Sequence, residues 1–207
     1  MDKYRLYLFL LLLVFGNGVH SQELSFTPDV VFGNRSMTYK HLLIYHLDSK
    51  LSLDNLTLFD TEYEGDTNTI YFIRNNVSYK LSEKTRVNTS VGIKNPGAFG
   101  SLSLSFFSRT PHFSANYTAG GTYQDGVSFE QSLVISYYPN LGRNHQAYIN
   151  ILATGNINSK GYIRGLQQFK LGIRKEKLIT GLALNLDQFN NSRKKLKNTG
   201  IFFKYNF

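Results

Sequence analysis

The chain has 207 residues, no cysteine, no tryptophan, 14 tyrosines, 16 phenylalanines and a formal net charge of +9. The length suits one domain, and the lack of cysteine excludes a fold held by disulfides. A mean hydropathy of −0.26 and the lack of any apolar run near 18 residues beyond the first segment exclude a helical membrane protein. A membrane protein of this composition would have to cross the bilayer as strands.

The N-terminal segment has the pattern of a secretory signal peptide. Two basic residues precede ten consecutive apolar residues at 6–15, and small residues follow before Gln22. A transmembrane helix needs about 20 apolar residues, so this run is too short to be one. The alternative interpretation is a buried core helix. We expect residues 1–21 to be removed on export and residues 22–207 to form the mature domain.

The rest of the chain alternates apolar and polar residues in one segment after another. Between 70 and 81, for example, Ile73 and Val77 alternate with Arg74 and Ser78. The same period of two recurs later in the chain, at 86–94, 101–106, 112–120, 169–174, 178–187 and 201–207. Successive side chains of a strand point to opposite faces, and no comparable stretch has helical spacing. The pattern predicts an all-β protein.

Two all-β folds fit this alternation. A soluble sandwich or lipocalin-like barrel points its apolar face inward, whereas a membrane barrel points it toward lipid. The segments are long enough to cross lipid at a tilt, and their polar faces are rich in Gly, Ser and Asn. Aromatic residues near the segment ends suit interfacial girdles: Tyr71, Tyr79, Phe99, Tyr137, Tyr205 and Phe207. We therefore predict a single antiparallel transmembrane β-barrel.

The last ten residues, NTGIFFKYNF, resemble the C-terminal β-signal of bacterial outer-membrane proteins. The residues that match its pattern are Asn198, Gly200, Phe203, Tyr205 and the terminal Phe207. The resemblance implies recognition by the barrel-insertion machinery and residence among the lipids of the bacterial outer membrane. Ending the chain on the last strand would also let that strand pair with the first and leave no open edge in lipid.

Counting strands back from the C-terminus predicts twelve, with ten as the alternative because Pro28 is awkward inside a ladder. Membrane barrels have short periplasmic turns and longer external loops. The expected periplasmic connections are 48–54, 82–84, 109–111, 138–145 and 175–176. The expected external connections are 33–36, 64–68, 95–98, 120–126, 155–165 and the basic segment 188–197.

Alternation also predicts which ionised residues line the lumen. The candidates for solute selection are Asp60, Glu62, Arg74, Arg86, Glu130, Lys170, Arg174 and Lys204. One interpretation is a ladder of ion pairs that fills a narrow barrel, since buried charges must be paired. The other is an aqueous path whose surplus of basic residues favours anionic or polar solutes.

The leading functional hypothesis is a passive, porin-like channel for small polar solutes, with no cofactor, metal site or nucleic-acid partner. A twelve-stranded barrel of this size is similar in architecture to the nucleoside-specific Tsx-type channels, although no substrate motif carries over. The first alternative is a closed structural barrel that binds a partner or lipid through its external loops. The remote alternative is a lipid-modifying enzyme, because His112 and Ser114 resemble the His-x-Ser spacing of outer-membrane phospholipase A.

Overall fold

The computed structural model describes residues 24–65, 67–142, 144–191 and 193–207, which form one closed antiparallel barrel. Each strand pairs with its neighbours in sequence, and β1 pairs with β12. The strands are β1 (Leu24–Gly33), β2 (Ser36–His46), β3 (Leu51–Glu62), β4 (Ile70–Ser82), β5 (Thr85–Lys94), β6 (Gly97–Arg109), β7 (Phe113–Tyr123), β8 (Val127–Tyr137), β9 (Gln146–Asn158), β10 (Gly161–Lys175), β11 (Leu178–Phe189) and β12 (Lys194–Tyr205). The prediction of twelve strands is confirmed, and the alternative of ten is wrong.

The first strand accommodates the proline that made its prediction uncertain. Pro28 lies opposite His41 of β2, and the ladder between β1 and β12 runs only from Asp29 to Gly33. Pro28 therefore sits just beyond the end of that ladder, where its missing N–H breaks no paired position with β12. The predicted signal peptide and its cleavage site before Gln22 lie outside the described residues.

Most connections are short at both ends of the barrel. We call the end that carries Leu24 and Phe207 the terminal end and the opposite end the distal end. The longest distal connection is 63–69, and the predicted external loop at 188–197 is wrong because β11 continues to Phe189 and β12 begins at Lys194. The sequence shows no apolar alternation there because the strands extend beyond the apolar band, where both faces can be polar.

A tight turn at the terminal end shows how these connections are fixed. The carboxylate of Asp48 accepts hydrogen bonds from the backbone N–H groups of Lys50 and Leu51 at 2.6 and 2.8 Å. These bonds stabilise the charged form and hold the pKa of Asp48 below its usual value. The side chain thus closes the β2–β3 connection in place of a longer loop.

The two faces of the sheet are oriented as predicted for a membrane barrel. On the outer face, Leu102 and Leu182 are 61% and 63% exposed. On the inner face, Ser90 and Asn198 are buried. One predicted girdle residue is wrong: Phe99 is buried on the inner face, with its ring stacked 5.5 Å from that of Phe72. Within the described residues, no helix is long and apolar enough to span a membrane.

Candidate functional site in the barrel interior

Large and ionised side chains fill one side of the interior. They come from the inner faces of β9–β12 and of β1–β2, which we call the charged arc. Lys170 on β10 reaches past β11 and β12, and its Nζ donates to both carboxylate oxygens of Asp29 at 2.5 Å. The Nζ of Lys40 lies 3.7 Å from the same carboxylate and donates to Gln168 at 3.2 Å. These contacts tie together strands that are not adjacent in the sheet.

An aromatic pair packs beside this ion pair, and two glycines make room for it. Tyr148 on β9 and Phe202 on β12 are 1% and 0% exposed, and their ring centroids lie 5.8 Å apart. Between them in the same row of the sheet stand Gly172 and Gly181. A Cβ on Gly172 would lie 3.1 Å from the Phe202 ring. Because Gly172 and Gly181 have no side chains, the rings from β9 and β12 can meet above them.

Several basic side chains of the arc lie over aromatic rings. The Nζ of Lys170 is 4.9 Å from the centre of the Phe202 ring, and the Nζ of Lys204 is 5.6 Å from that of Tyr148. The guanidinium of Arg174 is 5.5 Å from the Tyr138 ring. The ring faces attract the cations without cancelling their charge.

The distal half of the interior holds several ion pairs. Arg35, in the β1–β2 connection, pairs with Asp60 and donates to Glu62 at 2.8 Å. Arg164 donates twice to Asp187, at 3.0 and 2.6 Å. All four of Arg35, Asp60, Arg164 and Asp187 line a small cavity of ≈ 30 Å³. Charges at this end are therefore largely compensated.

Small polar side chains cover the opposite side of the interior. At mid-height, the inner faces of β4–β8 present mainly serine, threonine and asparagine, and we call this the hydroxyl arc. Its residues form a continuous chain of hydrogen bonds. Asn88 accepts from Ser78 and donates to Ser105, both at 2.8 Å, and Ser105 bonds to Thr118 at 2.7 Å. These side chains are short and neutral, although Arg74 and Arg86 also lie on the inner faces of β4 and β5.

The ionised residues predicted to line the lumen belong to inner-face positions of their strands. Asp60 and Glu62 pair with Arg35, Glu130 lies 3.6 Å from Lys94, and Lys170 pairs with Asp29. Arg74 lies over the Phe72 ring at 5.9 Å and Arg86 over the Phe107 ring at 4.8 Å, while Arg174 and Lys204 lie over tyrosines as described above. That these residues select a solute remains a prediction.

Sequence reasoning missed the residue at the centre of the interior. Asp29 is 4% exposed and contacts both Lys170 and Lys40. The alternation of the sequence could have identified Asp29 as an inner-face residue, because it lies between the apolar residues Pro28 and Val30 of β1. Its partners could not be found in this way, since they lie on β2 and β10.

Three residues of the C-terminal signal lie on the outer face: Phe203, Tyr205 and Phe207. Asn198 points inward and is 1% exposed, where its amide oxygen accepts from the backbone N–H groups of Arg35 and Ser36 at 3.0 and 3.3 Å. Gly200 lies against β1, and a Cβ there would overlap the backbone of Phe32. Both residues therefore have a role in closing the barrel. Their recognition by the insertion machinery remains a prediction.

The structure does not join His112 and Ser114. His112 lies in the β6–β7 connection, exposed, with its Nδ1 3.1 Å from the backbone oxygen of Tyr138. Ser114 is in β7, opposite Arg109 and Ser136. His112 directly precedes the first residue of β7, and within the described residues no hydrogen bond joins its ring to Ser114. Within the described residues, no group of three His, Cys, Asp or Glu side chains could hold a metal ion.

Comparisons with solved structures place this fold among outer-membrane porins. The KdgM porin in complex with disordered oligogalacturonate is 9% identical, with a TM-score of 0.57 over 88% of this chain and 99% of that chain. The NanC porin is 9% identical, with a TM-score of 0.56 over 89% and 99%. At such identities the likeness shows the fold alone. No family model matches the chain, and no curated protein matches it.

The chain therefore is a twelve-stranded barrel that shares its fold with the KdgM and NanC porins. These neighbours give no support to the predicted likeness to Tsx-type channels. That the chain is not an enzyme also remains a prediction.

Proposed function

We propose that this protein is a narrow, passive outer-membrane channel that favours small anionic solutes over cations. The observation that carries the proposal is the excess of positive charge in the charged arc. Lys40, Lys170, Arg174 and Lys204 occupy its inner face with Asp29. Within the described residues, neither Arg174 nor Lys204 has a carboxylate within 4.0 Å, because Asp29 pairs with the other two lysines.

A constriction with uncompensated positive charge attracts anions and repels cations. In a narrow interior with low-dielectric walls this effect is stronger than in open solution, because solvent screens the charges less. The aromatic rings under Lys204 and Arg174 hold these cations near the wall. The hydroxyl arc opposite offers neutral hydrogen-bonding groups that could replace part of a solute's hydration.

The size of the interior favours small solutes. The buried rings of Tyr148 and Phe202 project into the barrel and narrow its interior. The KdgM structure contains oligogalacturonate, an acidic sugar polymer, which supports an anionic solute by analogy of fold. The narrow interior favours single small anions over such a polymer.

The decisive measurement is ion selectivity in planar lipid bilayers under a KCl gradient. We expect discrete current steps and a reversal potential of the sign that chloride preference gives. Lys204→Glu should shift this potential toward cation preference. Lys195→Glu is the matched control, since it makes the same charge change on the same strand but on the exposed outer face. A cation-selective wild-type channel, or equal shifts in the two variants, would contradict the proposal.

A closed barrel is the second candidate, and the burial of the aromatic pair favours it. Phe202 and Tyr148 are almost inaccessible, as expected if side chains seal the interior. The same bilayer recording separates the two, because a sealed barrel gives no current steps. A closed barrel that binds partners through its distal loops is less favoured. Apart from 63–69, the distal connections between the described strands are four residues long or shorter.

We also propose that residues 1–21 direct export, that the insertion machinery reads the C-terminal strand, and that the terminal end faces the periplasm. The parity of an even-stranded barrel supports this orientation, because both chain ends then lie on one side. Mass spectrometry of the purified protein tests the first part. A mature chain beginning at Gln22 is expected, and an intact Met1 would contradict it.

A further inference from the structure

Charged side chains are rare on the outer face of the sheet, and those that occur there are basic. Among the Asp, Glu, Lys and Arg residues of the described strands, only Lys175, Lys195 and Lys197 lie at outward positions. Lys175 ends β10 at the terminal end. The outward charges of the distal end are therefore confined to one strand, β12. We call Lys195 and Lys197 the lysine pair. Both are exposed, and within the described residues neither has a carboxylate within 4.0 Å.

The lysine pair stands at the border of the apolar band. Read from the terminal end, the outward positions of β12 are Tyr205, Phe203, Ile201, Thr199, Lys197 and Lys195. A strand rises about 3.3 Å per residue and tilts by about 40° in a barrel, which puts Lys197 about 20 Å and Lys195 about 25 Å above Tyr205 along the axis. The apolar band of such barrels is about 25 Å tall. With Tyr205 at one border, the lysine pair lies at the other, at the level of lipid headgroups.

The sheet has an open edge beside the lysine pair. The last contact of β12 with the β1 side of the sheet is made by Asn34, whose N–H donates to the Thr199 carbonyl at 2.9 Å and whose side-chain oxygen accepts from the Thr199 N–H at 2.8 Å. Beyond this point β12 continues to Lys194, paired with β11 alone. Backbone groups alternate between the two sides of a strand, so the N–H groups of Lys195 and Lys197 face the open side as that of Thr199 does. We call the space on this side, above the β1–β2 connection, the rim notch.

The surroundings of the rim notch are apolar below and free of acidic groups at its sides. Phe32 on β1 and Phe203 on β12 point outward beneath it, 51% and 47% exposed, with ring centroids 6.3 Å apart. Ile201 lies beside them and is also exposed. The exposed acidic residues Glu64 and Asp125 belong to the β3–β4 and β7–β8 connections, several strands away. The notch therefore combines positive charge, free N–H donors and an apolar strip in the order in which a membrane lipid presents its headgroup and chains.

We infer that the rim notch binds a phosphate of lipid A, the anionic headgroup region of lipopolysaccharide, while an acyl chain lies along Phe32 and Phe203. A phosphate accepts charge-assisted hydrogen bonds from ammonium and backbone N–H groups, and basic residues at the membrane surface attract anionic lipids. Lysines on an open edge discourage the addition of a further strand, which disfavours a protein partner there. The choice of lipid A rests on the proposed orientation, in which the distal end faces the outside. The site lies on the outer surface and does not depend on whether the interior conducts.

Binding is measured by native mass spectrometry of the detergent-solubilised protein titrated with lipid A. We expect one tightly bound lipid A per barrel. Each lysine near an anionic lipid contributes about fivefold in affinity, so Lys195→Gln/Lys197→Gln should bind about 30-fold more weakly. The matched control Lys175→Gln/Lys177→Gln removes the same charge from exposed positions at the terminal end and should bind as the wild type does.

Three results of this titration would overturn the inference. The first is an unchanged affinity in Lys195→Gln/Lys197→Gln, and the second is an equal loss in the two double variants. The third is displacement of lipid A by inorganic phosphate at the same concentration, because the site would then recognise a free anion. Circular dichroism and heat-modifiable gel migration confirm that each variant is a folded barrel.

A nitroxide label tests where the lipid binds, because the native chain has no cysteine. Thr199→Cys places the label next to the lysine pair. Ala98→Cys, the control, places it at an exposed outward position at the distal end of β6, on the opposite side of the barrel. The label at 199 should broaden the phosphorus NMR signal of bound lipid A much more than the label at 98. Equal broadening from the two positions, or none from 199, would overturn the inference.

The orientation is tested separately with the same Ala98→Cys variant in whole cells. A membrane-impermeant maleimide should label it without disruption of the outer membrane. Labelling only after the membrane is opened would place the distal end in the periplasm. That result would contradict the proposed orientation and with it the assignment of lipid A, whatever the titration shows for the site itself.

Discussion

The charged arc and the hydroxyl arc solve the same packing problem in opposite ways. The charged arc sends long side chains such as Lys170, Phe202 and Tyr148 into the barrel, where they are nearly inaccessible. The hydroxyl arc keeps short side chains such as Ser90 and Ser105 close to its own wall. The charged arc therefore narrows the interior, whereas the hydroxyl arc adds little to the thickness of its wall. The barrel therefore needs no long inserted loop to become narrow.

The two arcs also differ in how their polar groups are satisfied. In the charged arc, Lys170 and Asp29 depend on each other across intervening strands. In the hydroxyl arc, side chains bond mainly to neighbours on an adjacent strand, as Ser78 does to Asn88. Losing one member of a buried ion pair leaves an unpaired charge, whereas losing one hydroxyl leaves an unpaired neutral group, which costs less. We therefore expect substitutions in the charged arc to cost more folding free energy than those in the hydroxyl arc.

The largest effect is expected from Lys170→Ala. The substitution leaves the Asp29 carboxylate, which is 4% exposed, with only the more distant Lys40 as a partner. Breaking a buried pair in this way costs about 3–5 kcal/mol of folding free energy. Urea unfolding of the protein refolded into lipid vesicles measures the loss.

The double variant Asp29→Leu/Lys170→Met is the control for this prediction. Replacing both partners by apolar residues of similar size is often neutral, so the double variant should be more stable than Lys170→Ala. If both variants lose the same stability, the ion pair does not hold the arc together, and packing alone must account for the loss.

Phe202→Ala should affect both stability and conductance. Removing this ring, which is 0% exposed, leaves a void beside Tyr148 and costs about 3 kcal/mol. The void also widens the interior beside Tyr148. If solutes pass at this point, single-channel conductance should rise. Phe203→Ala, on the outer face of the same strand, is the control and should leave conductance unchanged. An unchanged conductance in Phe202→Ala would place the constriction elsewhere.

Alternation in the sequence was enough to predict the two faces of most strands. The serines at 101, 103 and 105 define the inner face of β6, and by the same parity Phe99 points inward. Its assignment to a girdle is wrong because a position near the end of a strand does not decide which face the side chain occupies. The basic residues Lys194 and Lys195 concealed the start of β12, since a strand beyond the apolar band has no hydrophobic signal.

Contacts across the interior could not be predicted from the sequence. Asp29 and Lys170 are 141 positions apart, and their contact depends on the stagger of all the strands between them around the barrel. The alternation of apolar and polar residues shows which face of the sheet a side chain occupies. It does not show the height of that side chain relative to distant strands. The same limit applies on the outer face, where His41, Asn55 and Asn75 form hydrogen bonds only because β2, β3 and β4 are in register.

The smallest effect is expected from Asn88→Ala in the hydroxyl arc. Asn88 is buried and bridges Ser78 and Ser105 through two hydrogen bonds of 2.8 Å. The hydroxyls that remain can rotate toward water or toward other partners, so the net loss should be about 1 kcal/mol. Urea unfolding in the same vesicles as for Lys170→Ala gives a direct comparison, and ion selectivity should not change. A loss as large as that of Lys170→Ala would mean that the two arcs contribute equally, because the neutral network would then be as indispensable as the buried charge.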